Sequence, residues 1–312
     1  MKIFKFPSFR MPYEVTIRDR TRVSSLTSVR FYGDDKLVVC DFNDKATYLV
    51  RMASHGGLDL LDHKNTVIRG STPVQTDLMD INKNVFAVTN FFQGSISIYK
   101  IDACKINFIK EINLNSSIYV HGVRFVPEHD NLIWVSYCGA DNKCVQIIDY
   151  IKEKIIHTIP LKEQAQDCAF LQQGGRQYAV QVARTPHISE GRLSEGAPLK
   201  KMYATIYLLE IPDDINLNPP KIVSEARFDG HLDAAKEYNG AVYCANQYMD
   251  RIDIFTLNGT NILRTGAIPG FNFPHGLDIR NDGVLAVTNY GDCSLRIGRL
   301  GVVPPKINRD FE

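Results

Sequence analysis

Three of the eight histidines in this 312-residue chain, His121, His231 and His275, fall at or beside one position of a repeating pattern, and Asp77, Asp167 and Asp233 fall next to equivalent positions. Imidazole nitrogens and carboxylates are the donors that hold zinc, iron or manganese, and an ion so held polarises a carbonyl or generates hydroxide. Without an ion, the same residues can move protons. A histidine titrating near neutral pH beside a carboxylate serves lactone hydrolysis, elimination or cyclisation. His231 with Asp233 and His275 with Asp278 are the pairs close in sequence. Residues i and i+2 of a strand share a face, so the first pair needs no irregularity and the second needs a bulge. A third reading is structural, in which these groups satisfy backbone hydrogen bonds between neighbouring elements. The catalytic candidates are His121, His275, His231 and Asp167, and the metal-ligand candidates are His121, His231, His275, Asp77 and Asp167. No Ser or Cys lies in a G-x-S-x-G motif, which disfavours a covalent mechanism.

Residues so far apart in sequence meet only if the chain brings them round to one axis. The repeat does this. Taking His275 as a phase marker, copies begin near Thr27, Thr76, His121, Gln166, Leu232 and His275, at spacings of 49, 45, 45, 66 and 43 residues. Periods of this size mean one supersecondary unit per repeat. Val85-Phe-Ala-Val-Thr89, Leu132-Ile-Trp-Val-Ser136, Tyr178-Ala-Val-Gln-Val182, Ala241-Val-Tyr-Cys-Ala245 and Val284-Leu-Ala-Val-Thr288 read as buried strands. Polar turns such as Asn82-Lys-Asn84 and Asn281-Asp-Gly283 precede them, and alternating strands such as Ser95-Ile-Ser-Ile-Tyr99 follow. Antiparallel meanders repeated at this period predict an all-β fold, a six-bladed β-propeller, with seven blades as the rival count. The sixth unit is one outer strand short, and Tyr13 to Arg18 is predicted to fill the gap and close the ring with strands from both termini.

In such a ring the starts of the innermost strands line a central funnel. Asp41, Asn90, Ser136, Asn246 and Asn289 close the second strands, and aromatics such as Phe91, Phe92, Tyr137, Tyr248, Phe273 and Tyr290 stand near the rim. Asn90, Tyr137, Asn246, Asn289 and Tyr290 are the predicted substrate contacts.

A net charge of +1 offers no global field for nucleic acid or anionic membrane, so a small-molecule ligand is expected, with a protein partner as an open option. The N-terminus lacks a signal-peptide core and no run is long enough to span a bilayer, which predicts a soluble, cytoplasmic protein. The 44% apolar content is ample for one domain over residues 1–312. Seven cysteines, an odd count, read as structural thiols, although Cys138 and Cys144 could meet across a hairpin as a disulfide or half a metal site. The long spacing holds a Gly-, Pro- and charge-rich insert at about 185–201, read as a surface loop or a lid over the funnel.

Pro274-His-Gly-Leu-Asp-Ile through Val287-Thr-Asn289 and Ser294-Leu-Arg-Ile297 resembles the repeat of the NHL, YVTN and SMP-30 (gluconolactonase)-like propellers, and Lys154-Ile-Ile-His-Thr-Ile159 through Val180 resembles the YVTN unit. The resemblance implies a propeller whose members include lactonases, lyases and purely binding modules. Two function classes follow. One is a small-molecule hydrolase, lactonase, lyase or cyclase working in the funnel, and the other is a non-catalytic scaffold that binds a peptide, protein or glycan. For SMP-30-like enzymes the resemblance implies a central calcium held by Glu, Asn and Asp. This chain has Thr27, Thr76, His121, Gln166 and His275 at those positions. Calcium prefers an all-oxygen shell, so a divalent zinc, iron or manganese ion suits this set better.

Overall fold

Short β-branched and aromatic runs separated by Asn-, Asp- and Gly-containing turns fold here into meanders. The computed structural model describes residues 2–5, 14–17, 20–23, 26–42, 45–53, 57–65, 67–68, 72–73, 76–114, 119–139, 141–185 and 203–300. Nearly all of them lie in strands or tight turns, and six four-stranded antiparallel sheets form the blades of a six-bladed propeller. Blade 1 runs through Leu26–Tyr32, Lys36–Asp41, Ala46–Met52 and Leu58–Asn65. Blade 2 runs through Thr76–Asn82, Val85–Asn90, Ser95–Asp102 and Lys105–Asn113. Blade 3 runs through Val120–Phe125, Leu132–Cys138, Lys143–Asp149 and Lys154–Pro160. Blade 4 has Gln164–Gln173, Arg176–Arg184, Tyr203–Ile211 and Lys221–Asp229, and blade 5 has Leu232–Tyr238, Ala241–Asn246, Arg251–Asn258 and Asn261–Pro269. Blade 6 takes Pro274–Ile279, Val284–Asn289 and Ser294–Arg299 from one end of the chain and Lys2–Lys5 from the other.

Ring closure by both ends of the chain is therefore as expected, but with a different segment. Lys2–Lys5 pairs with Ser294 to Ile297. Glu14–Ile17, the predicted closing strand, instead pairs with Arg20–Val23, Ile17 opposite Arg20. A hairpin with so short a connection closes at far less entropic cost than a pairing with the other end of the chain. The insert expected at about 185–201 lies, from residue 186 on, outside the described residues.

The core is divided among the blade interfaces. Leu26, Leu37 and Tyr48 of blade 1 pack on Ala286 and Leu295 of blade 6, and Trp134 and Ile147 of blade 3 pack on Ala179 and Tyr207 of blade 4. Trp134 is fully buried and its indole N–H donates to Gln181 Oε1 at 2.8 Å, the partner a buried indole requires. All seven cysteines are free thiols, and burial pushes Cys138 up to about 12 and Cys144 to about 11. They are the packing residues expected, and no disulfide joins them. No helix of the described residues is long and apolar enough to cross a membrane.

Each innermost strand carries an irregularity near its start. The pairing with the second strand skips between Leu26 and Ser28, Thr76 and Met79, Val120 and Gly122, Ala165 and Asp167, Leu232 and Ala235, and Pro274 and Leu277. Thr27, Asp77, His121, Gln166, Asp233 and His275 sit in these bulges. A bulge leaves one residue outside the ladder and re-aims its side chain, here toward the axis. Going round the ring, the sequence Thr, Asp, His in blades 1 to 3 is answered by Gln, Asp, His in blades 4 to 6.

Three residues deeper, a second layer alternates in charge. Arg30, Asp80, Arg124, Lys236 and Asp278 occupy that level in blades 1, 2, 3, 5 and 6, and Asp167, next to its bulge, supplies the carboxylate of blade 4. Asp80 pairs with Arg30 and Arg124 at 3.3 Å each, Arg124 Nε donates to Asp167 at 2.8 Å, and Lys236 pairs with Asp278 at 2.9 Å. Each carboxylate also accepts a backbone N–H from the next blade: Phe125 to Asp80, Ala235 to Asp167 and Phe31 to Asp278. This belt locks the register between blades beneath the funnel.

Candidate functional site

The bulges bring two carboxylates and two imidazoles together at the axis. His121 Nε2 lies 2.9 Å from Asp233 Oδ1 and 3.5 Å from Asp77 Oδ2. His275 Nε2 lies 3.1 Å from Asp233 Oδ2 and 3.5 Å from Asp77 Oδ1. The two imidazoles stack with centroids 5.6 Å apart, so opposite blades share one narrow centre. All four side chains are buried.

The backbone fixes which nitrogen faces inward. His121 Nδ1 is 3.0 Å from the carbonyl of Gln166, and His275 Nδ1 is 2.8 Å from that of Thr27. A carbonyl only accepts, so each Nδ1 carries the proton and donates, and each Nε2 is turned to the carboxylates. The glycine after each histidine makes this approach geometrically available. A Cβ on Gly122 would stand 2.2 Å from the Gln166 carbonyl oxygen, and one on Gly276 would stand 2.5 Å from that of Thr27. The His-Gly pairs are thus close-approach devices of one blade on the next.

An Nε2 without a proton would point a lone pair at two carboxylates, so the quartet must hold either protons or a cation. In the ion-free site, burial opposes charge on His121, but Asp77 and Asp233 together outweigh it and raise its pKa to about 9. Burial also acts against ionised Asp233, yet His275 and His121 hold its carboxyl far below the usual range, and the Gln247 amide donates to its Oδ2. Asp77 differs: burial dominates and pushes it up. Asp77 Oδ1 and Asp233 Oδ1 receive no aligned hydrogen bond, for all their closeness to the imidazoles. Three of the four residues also fit a metal. His121 and His275 each meet a different oxygen of each carboxylate, at 2.9 to 3.5 Å, and three protein donors with a fourth position left open are the pattern of a catalytic ion. Asp77, His121 and His275 are the described residues whose donor atoms all lie within 4.8 Å of one another. A neutral imidazole whose other N–H is tied to a carbonyl is the usual form of a metal-bound histidine.

Above the quartet opens a cavity of about 330 Å³. Phe42, Phe91 and Phe92 form one side of its wall, Tyr248, Phe273 and Tyr290 another, and Arg184 and His231 stand at the margin. His231 belongs to this wall and not to the quartet. Its Nε2 accepts from Arg184 Nη1 at 2.9 Å and its ring stacks on Tyr248. Asp167, predicted as ligand and catalyst, is committed to Arg124 in the belt below, because it follows the bulge of blade 4 instead of occupying it. Asp233, read from the sequence as the partner of His231, faces His121 and His275. Asp278 pairs with Lys236 and not with His275.

Of the predicted substrate contacts, Tyr290 lines the cavity and packs on His275. The other four are not among the residues that line it. Asn90 donates to Ser95 and Ser97, Asn289 donates to Ser294, and Asn246 accepts from the His231 N–H while donating to Asp253. Tyr137 is buried on Gln146. Arg184, Gln247 and Phe42 were missed. The only sequence signal for them was position, at or just after the end of a second strand.

No family model matches the chain, and no curated protein matches it. Solved structures do. A functionally unknown protein from Desulfotomaculum acetoxidans superimposes at a TM-score of 0.55 and 14% identity, over 88% of this chain and 83% of that one. Hydrazine synthase from Kuenenia stuttgartiensis gives 0.56 at 12% identity, over 89% and 95%. Virginiamycin B lyase from Staphylococcus aureus gives 0.52 at 10% identity, over 87% and 94%. At such identities the likeness is one of fold alone, and fold does not fix function: the chain is a six-bladed β-propeller whose relatives in shape have unlike activities.

Proposed function

We propose that the funnel is the active site of a small-molecule enzyme of the hydrolase or lyase type, with Asp77, His121 and His275 holding one divalent transition-metal ion and Asp233 beside them as the facing carboxylate. The observation that supports this most is the pair of Nε2 atoms fixed by their Nδ1–H bonds so that both face the same two buried carboxylates. Burial disfavours the charge on Asp77 and pushes its pKa up, with the two imidazoles acting the other way, and a cation beside it would favour the ionised form. An ion there would act as a Lewis acid toward a carbonyl or carbon acid seated in the cavity. Aromatic side chains line the cavity, with Tyr290 and Gln247 among the polar groups that could meet a substrate there. Two nitrogen donors favour zinc, iron or manganese over calcium.

A second reading uses the same residues without an ion. The pKa of about 9 at His121 keeps it an imidazolium at neutral pH, able to donate a proton to a leaving group. Both readings place the chemistry at the quartet, and both set aside the scaffold reading from the sequence. The finer placement among NHL, YVTN and SMP-30-like propellers rests on the motifs at residues 274–297 and 154–180.

The test is a screen of lactones, esters and elimination substrates against the wild-type protein, His121→Ala and His275→Ala. Turnover falling at least 10²-fold in both variants is expected, the range that removal of an acid-base group produces. Turnover unaffected by either substitution, or binding of a macromolecular partner with no turnover in the screen, would move the function out of the funnel.

A further inference from the structure

We infer that the substrate is an organic monoanion, a carboxylate on an aromatic or otherwise planar apolar body, held by Arg184 with its reacting carbon over the quartet. This rests on the funnel being the active site and names what enters it.

Arg184 closes the second strand of blade 4 and faces the cavity. Among the arginines whose side chains are described, only Arg184 and Arg296 have no carboxylate in salt-bridge range. Arg296 packs over Phe271 and donates to the Gly270 carbonyl, away from the funnel. Arg184 is instead braced by neutral groups. Its Nε donates to Gln164 Oε1 at 3.1 Å and its Nη1 donates to His231 Nε2 at 2.9 Å. An imidazole nitrogen that accepts from a guanidinium carries no proton, so His231 is a neutral brace that adds no charge. Of the five guanidinium hydrogens, the second on Nη1 and both on Nη2 have no partner among the described residues. That outer edge is the fork that binds a carboxylate through two parallel bonds.

The guanidinium also brings a positive charge to a half-enclosed space with no carboxylate in salt-bridge range, and a charge drawn out of water calls for a counterion. A monoanion supplies one; a neutral ligand does not. The body of the ligand is set by the rest of the wall. Phe42, Phe91 and Phe92 contact one another edge to face, and Phe92 is 45% exposed, an aromatic surface that a planar ring would cover.

The test is calorimetric titration of chelator-treated protein with benzoate, phenylacetate and cinnamate and with the matching primary amides, for the wild type and Arg184→Gln. Chelation ensures that no carboxylate is held by an ion in the quartet. At least one acid is expected to bind 10-fold or more tightly than its amide, and Arg184→Gln is expected to weaken the acid about 10- to 100-fold, the worth of a charged hydrogen bond, while leaving the amide unchanged. No acid preference anywhere in the panel, or a preference that survives Arg184→Gln, would overturn the inference. The wild-type comparison stands without the variant if the variant does not fold. An acid preference in a protein that binds no metal and turns nothing over would leave the Arg184 carboxylate site standing while the catalytic reading falls; metal binding and turnover without the preference would sink this inference alone.

Discussion

At the scale of residues, the two aspartates of the quartet are equivalent by position and unequal in state. Asp233 sits within 3.1 Å of both imidazoles and takes the Gln247 amide, whereas Asp77 stands 3.5 Å from each. Burial therefore prevails at Asp77 and raises its pKa. A group whose charged form is disfavoured on folding destabilises the fold above its unfolded pKa, so the neutral isostere removes a penalty at neutral pH. Asp77→Asn is expected to raise the melting temperature of ion-free protein, at about 2–4 °C per kcal/mol for a chain of this size, and to abolish metal uptake. Calorimetry of both proteins checks this, and a lowered melting temperature would mean that Asp77 is held by its partners after all. A pH dependence follows from His121. An ion can take Nε2 only as the proton leaves, and that proton is held up to about pH 9. Apparent metal affinity is expected to rise with pH toward that value, with proton release on binding measurable in buffers of different ionisation heat.

At the scale of elements, the bulge is the unit that makes the site. The repeat pattern in the sequence located every innermost strand and put four of the six bulged residues, Thr27, His121, Gln166 and His275, on the phase marker. In blades 2 and 5 the marker fell on Thr76 and Leu232, one residue short of Asp77 and Asp233. A slip of one residue turns a strand side chain to the other face. That slip is why Asp233 read as a partner of His231; in blade 4 the marker was right, and Asp167 read as a ligand because it stands one residue past the bulge. Bulges leave no compositional mark, since the extra residue can be Thr, Asp, His or Gln. The glycines after the histidines do leave one. Gly122→Ala is expected to lower stability by about 1–3 kcal/mol, the range for overpacking, because its Cβ would meet backbone 2.2 Å away. It should also loosen His121 from the Gln166 carbonyl and weaken metal binding. Denaturant melts together with metal titration would show both effects, and an unchanged midpoint would mean that the blades separate easily.

At the scale of the whole molecule, two layers with different symmetry stack along the axis. The upper layer repeats every three blades as neutral, acid, imidazole, and the lower belt alternates base and acid. The lower belt tolerates no vacancy, since each acid serves two blades. Asp80→Asn removes the half-buried carboxylate that both Arg30 and Arg124 share, although Arg124 keeps Asp167, so the cost falls between the ~1 kcal/mol of a surface pair and the ~3–5 kcal/mol of a buried one. A loss of that size in a urea melt is expected, and a loss below about 1 kcal/mol would make the belt a bystander. The propeller and its blade count were legible because hydrophobic periodicity and turn residues recur in every unit. Ring closure was legible in kind but not in place: the Tyr13 to Arg18 run looks more strand-like than Lys2 to Lys5, and local hairpin pairing claimed it. The cavity wall was half legible. Aromatics near strand ends stood out, whereas Arg184 depends on how the end of one strand meets His231 from the next blade.

The central claim is that the quartet holds a cation, and the direct measurement is elemental analysis of untagged protein after equilibration with zinc, iron or manganese, alongside His121→Ala, His275→Ala and His231→Ala. About one ion per chain is the expected result, the stoichiometry of a single site, with the ion lost in the first two variants and kept in His231→Ala. No bound metal in the wild type, or equal loss in all three variants, would contradict it.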